Sequence, residues 1–184
     1  MWRLHLRNIA AWACPDGFSI RPYEPGDENH WVRIHEYAHP GNHPSLDLFR
    51  GQFGTDTATL AARQFFLVSP KGAVVGTTTA WFYNEAKERN WGRIHWVAIL
   101  PEHQGKGYSR ALQAHALDIL RELKHSEVFL TTDPERVPAV NLYLRFGFRP
   151  WLAVDEARDR WKKLVPSLKP EWQGPSAQWL KESQ

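Results

Sequence analysis

One cysteine, Cys14, and one methionine are the only sulfur-bearing side chains of this sequence. No intramolecular disulfide is therefore possible, and no cysteine cluster is available to hold a metal. No apolar run approaches the roughly 20 residues that a membrane-spanning helix needs, so no membrane partner is expected. The opening Met1-Trp2-Arg3-Leu4-His5-Leu6-Arg7 is interrupted by charge too often for a signal peptide. A cytoplasmic location is the expectation. Internal repeats, low-complexity stretches and Gly/Ser-rich linkers are absent, and 184 residues fit one domain with a real apolar core. Strong charge of one sign is missing as well. The formal net charge of +3 suits an anionic ligand but is too small and too scattered to point to nucleic acid.

Tryptophan, by contrast, is plentiful: there are ten, read here as core and lid packing rather than as a stacking platform. Residues 18–23 read as a short strand closed by Pro25, Gly26 and Asp27, with Asp27 capping a helix over Glu28–Ala38. A polar loop (residues 39–45) and a short helix over Leu46–Phe53 follow. Gln64–Ser69 and Ala73–Tyr83 read as a hairpin, and Trp91–Leu100 as a strand stopped by Pro101. A helix then carries Leu112, Ala116, Ile119, Leu120 and Leu123 at helical spacing. Glu127–Thr132 is the next strand, and Val137–Phe146 a helix ended by Gly147. This order predicts an α/β sheet of mixed direction in which Trp91–Leu100 and Glu127–Thr132 are parallel. The core spans about residues 18–152. Residues 153–184 read as a helical patch around Trp161–Leu164 and a Pro-rich tail that wraps the surface or lacks order.

The most informative stretch joins the strand through Val97, Ala98 and Ile99 to the turn Gln104-Gly105-Lys106-Gly107-Tyr108-Ser109-Arg110, and then to a helix start. Such a turn gathers backbone N–H groups in one concavity, and the helix adds unpaired N–H groups and its positive dipole end. Gly105 and Gly107 leave room for an anion, and Lys106 and Arg110 add charge. The site suits a pyrophosphate. It is not a P-loop, because Leu100 stands where the first glycine would be and Gly107 follows Lys106. Nor is it a dinucleotide fingerprint, which needs a third glycine.

Two motifs in register resemble those of the GNAT superfamily of N-acetyltransferases. The first is Gln104-Gly105-Lys106-Gly107-Tyr108-Ser109, with Ser109 in place of the family's Gly or Ala. The second is Ala139-Val140-Asn141-Leu142-Tyr143-Leu144-Arg145-Phe146-Gly147-Phe148. The resemblance implies a centrally splayed mixed sheet of about six to seven strands flanked by helices. It also implies acetyl-CoA as co-substrate, with no metal. Backbone groups of Val97, Ala98 and Ile99 then meet the pantetheine and the acetyl carbonyl, Gln104–Arg110 the pyrophosphate, and Tyr143 the sulfur. Where many members carry an Asn, this chain has Arg136, which serves the phosphates, or else Asn141 substitutes.

Transfer to an amine requires loss of its proton, a stabilised oxyanion and a protonated leaving thiolate. Tyr143 is the candidate acid, or else a packing residue. His95 is the candidate base; by strand alternation it shares a face with Trp91, Arg93, Val97 and Ile99, although a strand histidine often only packs. Cys14 is remote in sequence from the cofactor loop, and His30, His35, His39 and His43 match no metal spacing. Trp31 and His35, with Tyr37 and His39 in the same segment, are candidates to contact the acceptor, a small-molecule or peptide amine, and His35 and His39 are the alternatives to His95 as base. The opening Arg21-Pro22-Tyr23-x-Pro25-Gly26-Asp27 resembles mycothiol-synthase-like members but is too short to name a substrate. A non-catalytic CoA-binding module, or a transferase using another acyl-CoA, is the competing expectation. Monomer and homodimer both fit.

Overall fold

Runs of β-branched and aromatic residues form strands β1 (Trp2–Arg3), β2 (Ser19–Pro22), β3 (Gln64–Val68), β4 (Val74–Phe82), β5 (Trp91–Ile99) and β6 (Glu127–Phe129). The structure, a computed structural model, describes all residues except 16, 40, 83–89, 183 and 184; the expected strand end at Tyr83 lies outside the described residues. The six strands form one mixed sheet in the order β1-β6-β5-β4-β3-β2, and only β5 and β6 are parallel. Helices α1 (Asp27–Ala38), α2 (Leu46–Phe53), α3 (Thr57–Arg63), α4 (Tyr108–Glu122), α5 (Val137–Arg145), α6 (Asp155–Leu164) and α7 (Pro170–Trp179) flank it. No helix of the described residues is long and apolar enough to cross a membrane.

Helix α4 buries Leu112, Ala116, Leu117 and Leu120 against β4 and β5. Its approach is close: a Cβ on Gly92 of β5 would sit 2.6 Å from Leu120 Cδ2. On the opposite face, α1 and α2 enclose Trp31, which is fully buried with ring centroids 5.4 Å from Phe49, 5.8 Å from Phe53 and 5.0 Å from Trp96. The tryptophan surplus goes largely into such packing, as expected: Trp81, Trp91 and Trp161 are also core residues.

Between β5 and β6 the sheet opens. Their pairing covers only Trp91 to Arg93 against Glu127 to Phe129. Beyond that point the chain after β6 stays with the N-terminus, where Leu130 N donates to Met1 O (2.9 Å) and Met1 N donates to Leu130 O (2.8 Å). Strand β5 continues along β4 instead. A bulge sharpens the divergence: Thr77 pairs with Ala98 but Thr79 with His95, so Trp96 and Val97 together face the single residue Thr78. Trp96 adopts φ 50°, a left-handed conformation that a bulky residue seldom takes.

Several expectations are corrected. Alternation fails at the bulge: His95 and Trp96 both reach Gln52 of α2, whereas Val97 packs with the cluster around Leu117 and Tyr143. Asp27 does not cap α1. It is the first residue of the helix, and its buried carboxylate accepts two hydrogen bonds from Arg21 (2.5 and 2.8 Å) and one from Glu24 N (2.7 Å). Helix α3 was not anticipated, although Asp56 caps it by accepting from Thr59 N. Strand β6 stops at Phe129, three residues early. In the tail, where no element beyond the patch near Trp161 was expected, Pro170–Trp179 forms α7, which packs Trp172 and Trp179 against the small core of Val140, Leu144, Trp161 and Leu164. The N-terminal strand β1 was also unforeseen.

Replacing Trp31 by Ala removes the centre of the α1–α2 packing. About 3–5 kcal/mol of stability should be lost, read as a lower urea midpoint. A Trp31→Ala protein with an unchanged midpoint and a raised acceptor KM would place the indole at the acceptor instead.

Candidate active site

Where β5 leaves β6, a cleft of about 410 Å³ runs from the α4 N-terminus to the C-terminal end of α1. Its walls carry Val97, Ala98 and Ile99 of β5, the turn at Gln104, Gly105 and Gly107, Tyr108 and Ser109 of α4, and Leu142 and Tyr143 of α5, with Arg136 just ahead of α5. His39 and Ala38 close the far end. The two motifs thus stand on opposite walls of one space. Among the described residues, no Asp or Glu lines it.

The turn is held from within. Gln104 Nε2 donates to Ile99 O (2.8 Å), and Lys106 Nζ donates to Glu102 O (2.9 Å). Gly107 is the N-cap of α4 at φ 86°, where a side chain would be strained, and it gives the helix start no side-chain hydrogen bond. Tyr108 and Ser109 of the first turn line the cleft, at the positive end of the helix dipole. Ser109 presents its small side chain there, while Arg110 lies with its guanidinium carbon 4.8 Å from the Trp12 ring centroid. An uncapped helix start beside two left-handed glycines fits a pyrophosphate.

On the other wall, α5 ends in hydrogen bonds from Phe148 N to Tyr143 O (3.0 Å) and Gly147 N to Leu144 O (2.9 Å), with Gly147 at φ 76°. This fixes the turn that carries Tyr143. Burial pushes the Tyr143 hydroxyl pKa above its ordinary value, against a smaller opposing effect of Arg136. The hydroxyl stays protonated near neutrality and so remains a donor. Asn141 is otherwise engaged: its Nδ2 donates to Val137 O (2.9 Å), and its Oδ1 accepts from Lys169 N (3.0 Å). It ties the tail to α5.

Two histidines, His35 and His95, pack on Trp96 and a third, His39, lies beside His35, and the structure separates their roles. His35 is fully buried, its ring 4.5 Å from Trp31 and 4.9 Å from Trp96. Burial first, then the neighbouring His39, Arg136 and His95, push its pKa down to about 3. His95 faces α2, with Nε2 2.8 Å from Gln52 Oε1, and does not line the cleft. Burial and then Arg93 push it down to about 3 as well. His39 does line the cleft, and its Nε2 lies 3.0 Å from an Arg136 guanidinium nitrogen. The sequence marks His39 as an acceptor-segment residue and an alternative base, but not its pairing with Arg136, which lies 97 residues away. Among the described residues, no group of three or more His, Cys, Asp or Glu is arranged to hold a metal ion.

Comparison with known proteins agrees with this geometry. The family model described as "Acetyltransferase (GNAT) family" matches residues 26–148, well over half of the chain. The chain belongs to the GNAT acetyltransferase family. It is 30% identical over 170 residues to a mycothiol acetyltransferase of Pseudarthrobacter chlorophenolicus, covering 82% of this chain and 50% of that protein. The chain thus spans about half the length of the curated relatives it matches. Among solved structures, a GCN5-related N-acetyltransferase from Sphaerobacter thermophilus shares the fold with a TM-score of 0.67 at 22% identity, covering 80% of this chain and 46% of that one. Rv2747 from Mycobacterium tuberculosis, solved in complex with CoA and NLQ, does so with a TM-score of 0.53 at 19% identity, covering 90% and 89%.

The two depressed histidines carry a stability consequence. Their native pKa values lie below the ordinary 6.5, so between about pH 3 and 6.5 the unfolded chain binds more protons than the folded one. The contribution of these two rings to stability therefore falls as pH drops below 6.5 and is flat above it. His35 alone sets a slope of at most about 1.4 kcal/mol per pH unit. Urea midpoints at pH 5 and 7.5 check this; equal midpoints would show that both rings charge freely in the native state.

Proposed function

We propose that this chain transfers an acetyl group from acetyl-CoA to the primary amine of a small molecule or peptide, by direct attack in a ternary complex in the cytoplasm. The observation that carries the reading is the cleft between β5 and β6, with a pyrophosphate-type turn at one end and a protonated tyrosine on the facing wall. Backbone groups of Val97, Ala98 and Ile99 line the β5 edge, and among the described residues this edge has no strand partner beyond Arg93 on that side. Pantetheine amides pair there as a strand would. The amides of the turn and of the α4 start hold the pyrophosphate; Lys106, bonded to Glu102 O, and Arg110, stacked on Trp12, do not line the cleft and would have to turn toward it to add charge.

Tyr143 donates its hydroxyl proton to the leaving sulfur, for which its raised pKa suits it. The likeness to mycothiol acetyltransferase supports a small-molecule acceptor. A cleft whose described lining holds Arg136 and no carboxylate is a poor match for a polycationic acceptor.

Acetyl-CoA should raise the melting temperature in a concentration-dependent way, by the stabilisation expected when a ligand binds only the native state. Gly107→Val, which forces a β-branched residue to φ 86°, should abolish that rise. A preserved rise would move the cofactor elsewhere. Tyr143→Phe should keep the rise but lower turnover about 10²–10⁴-fold, measured as free thiol released with an acceptor amine. Full turnover in that variant would leave Tyr143 as a packing residue.

A further inference from the structure

We propose that His39 is the proton acceptor for the attacking amine, and that Arg136 is the residue that positions it. This rests on the acetyltransferase reading above and names a group that the sequence motifs do not contain.

The hydrogen-bond partners of the rings fix which nitrogens hold lone pairs. The Trp96 indole N–H can only donate, and it donates to Gln52 Oε1 at 3.2 Å. That fixes the oxygen end of Gln52, so the His95 Nε2 bonded to the same oxygen must carry a hydrogen. His95 thus spends its Nε2 proton on Gln52 and lies outside the cleft. His35 is sealed in the core. His39 differs from both. Its Nε2 faces an Arg136 guanidinium, which has donors only, so this nitrogen holds a lone pair and the ring proton sits on Nδ1. A neutral imidazole at the cleft wall, its lone pair held by an Arg136 N–H that an incoming amine can displace, is the form that a base requires.

Position supports the same assignment. His39 terminates α1, its backbone N–H bonded to His35 O at 2.9 Å, and its ring meets the backbone of Val97 at the bulge. Tyr143 lines the cleft from α5. An amine entering beside His39 would therefore meet the acetyl carbon between a base on α1 and an acid on α5. In the reaction the amine displaces the Arg136 N–H from Nε2. As the C–N bond forms and the C–S bond breaks, Nε2 takes the amine proton, and the sulfur takes the Tyr143 proton. The imidazolium then returns a proton to solvent, and Tyr143 regains one.

Around His39 stand Arg136 at the N-cap of α5, 3.0 Å away, and His35 of α1, neutral in the working range, with ring centroids 6.0 Å apart; Tyr143 of α5 and His103 line the same cleft. Burial and Arg136 hold the His39 pKa below its ordinary value, while the backbone of Val97 and Ala38 acts in the opposite direction. Neutral His39 is the active form, so activity is full above its pKa and falls as pH drops through it, below 6.5.

Two measurements on the full chain decide the matter. Free-thiol release from acetyl-CoA is followed with glucosamine, spermidine and an alanine-initiated peptide as amine probes. His39→Gln should lower kcat about 10²–10⁴-fold while the acetyl-CoA melting shift stays as in the unmodified protein. Added imidazole should partly restore His39→Ala. A kcat within threefold of the unmodified protein, or no rescue by imidazole, overturns the proposal. Histidine ¹⁵N spectra need no acceptor: they should show His39 with Nδ1 protonated, Nε2 unprotonated and titration below pH 6.5. A ring protonated on Nε2, or titrating at or above 6.5, also overturns it. Failure of the unmodified protein to release thiol with any amine would instead count against the acetyltransferase reading, leaving the spectra to judge His39.

Discussion

Strand β5 has a hydrogen-bonded neighbour along one whole edge and along only a third of the other. Everything at the site follows from that asymmetry. Pairing with β4 keeps β5 in the sheet from Gly92 to Ile99, while β6 leaves after Phe129 to follow the N-terminus. The unpaired edge is too polar to bury against side chains alone, since each backbone group needs a partner. A ligand with amide groups of its own fits this edge, and the bulge at Trp96 and Val97 aims the strand's side chains to two different places. Trp96 goes to Trp31 and Gln52, and Val97 goes to the cleft. Left-handed φ at a tryptophan costs on the order of 1–3 kcal/mol. The aromatic packing of α1 and α2 around Trp96 holds that conformation in place.

The surrounding elements act as supports for this opening. Helix α4 can bring its uncapped N-terminus to the cleft because Gly92 lets Leu120 lie against β5. Helix α5 presents Tyr143 from the opposite wall, and its far side is fastened to the tail by Asn141 through Lys169 N. Helices α6 and α7 therefore act on the site at one remove, by holding α5. The α1 helix reaches the cleft at its last turn, which is why His39 lies in the cleft and His35, one turn earlier, lies in the core.

Much of this was legible in the sequence, and the remainder was hidden for physical reasons. Proline stops, glycine turns and periodic apolar residues marked β5, α4 and α5 to within a few residues, because those signals are local. The glycine turn and the second motif stood out for the same reason, since backbone needs at φ 86° and φ 76° leave a mark on residue type. The bulge left no such mark. Alternation was extrapolated through Trp96, and it fails there because tertiary packing, not local preference, sets a left-handed tryptophan. Asp27 looked like a helix cap because Asp is a good one, yet its carboxylate is drawn to Arg21, a contact across the turn. Helix α7 was obscured by Pro170 and Pro175, although Pro170 occupies its first turn, where no N–H is required. The pairing of His39 with Arg136 joins residues 97 apart and lies beyond any local pattern.

Transfer from the β5 edge requires the acetyl group to lie between Val97 and Tyr143. Proton NMR with acetyl-CoA labelled with ¹³C in the acetyl methyl addresses this directly, through filtered cross-relaxation to protein protons. The methyl is expected to contact the Val97 methyls and the Tyr143 ring. Contacts to Trp12 and Cys14 in the separate cavity beside α4, with none to Val97 or Tyr143, would contradict it.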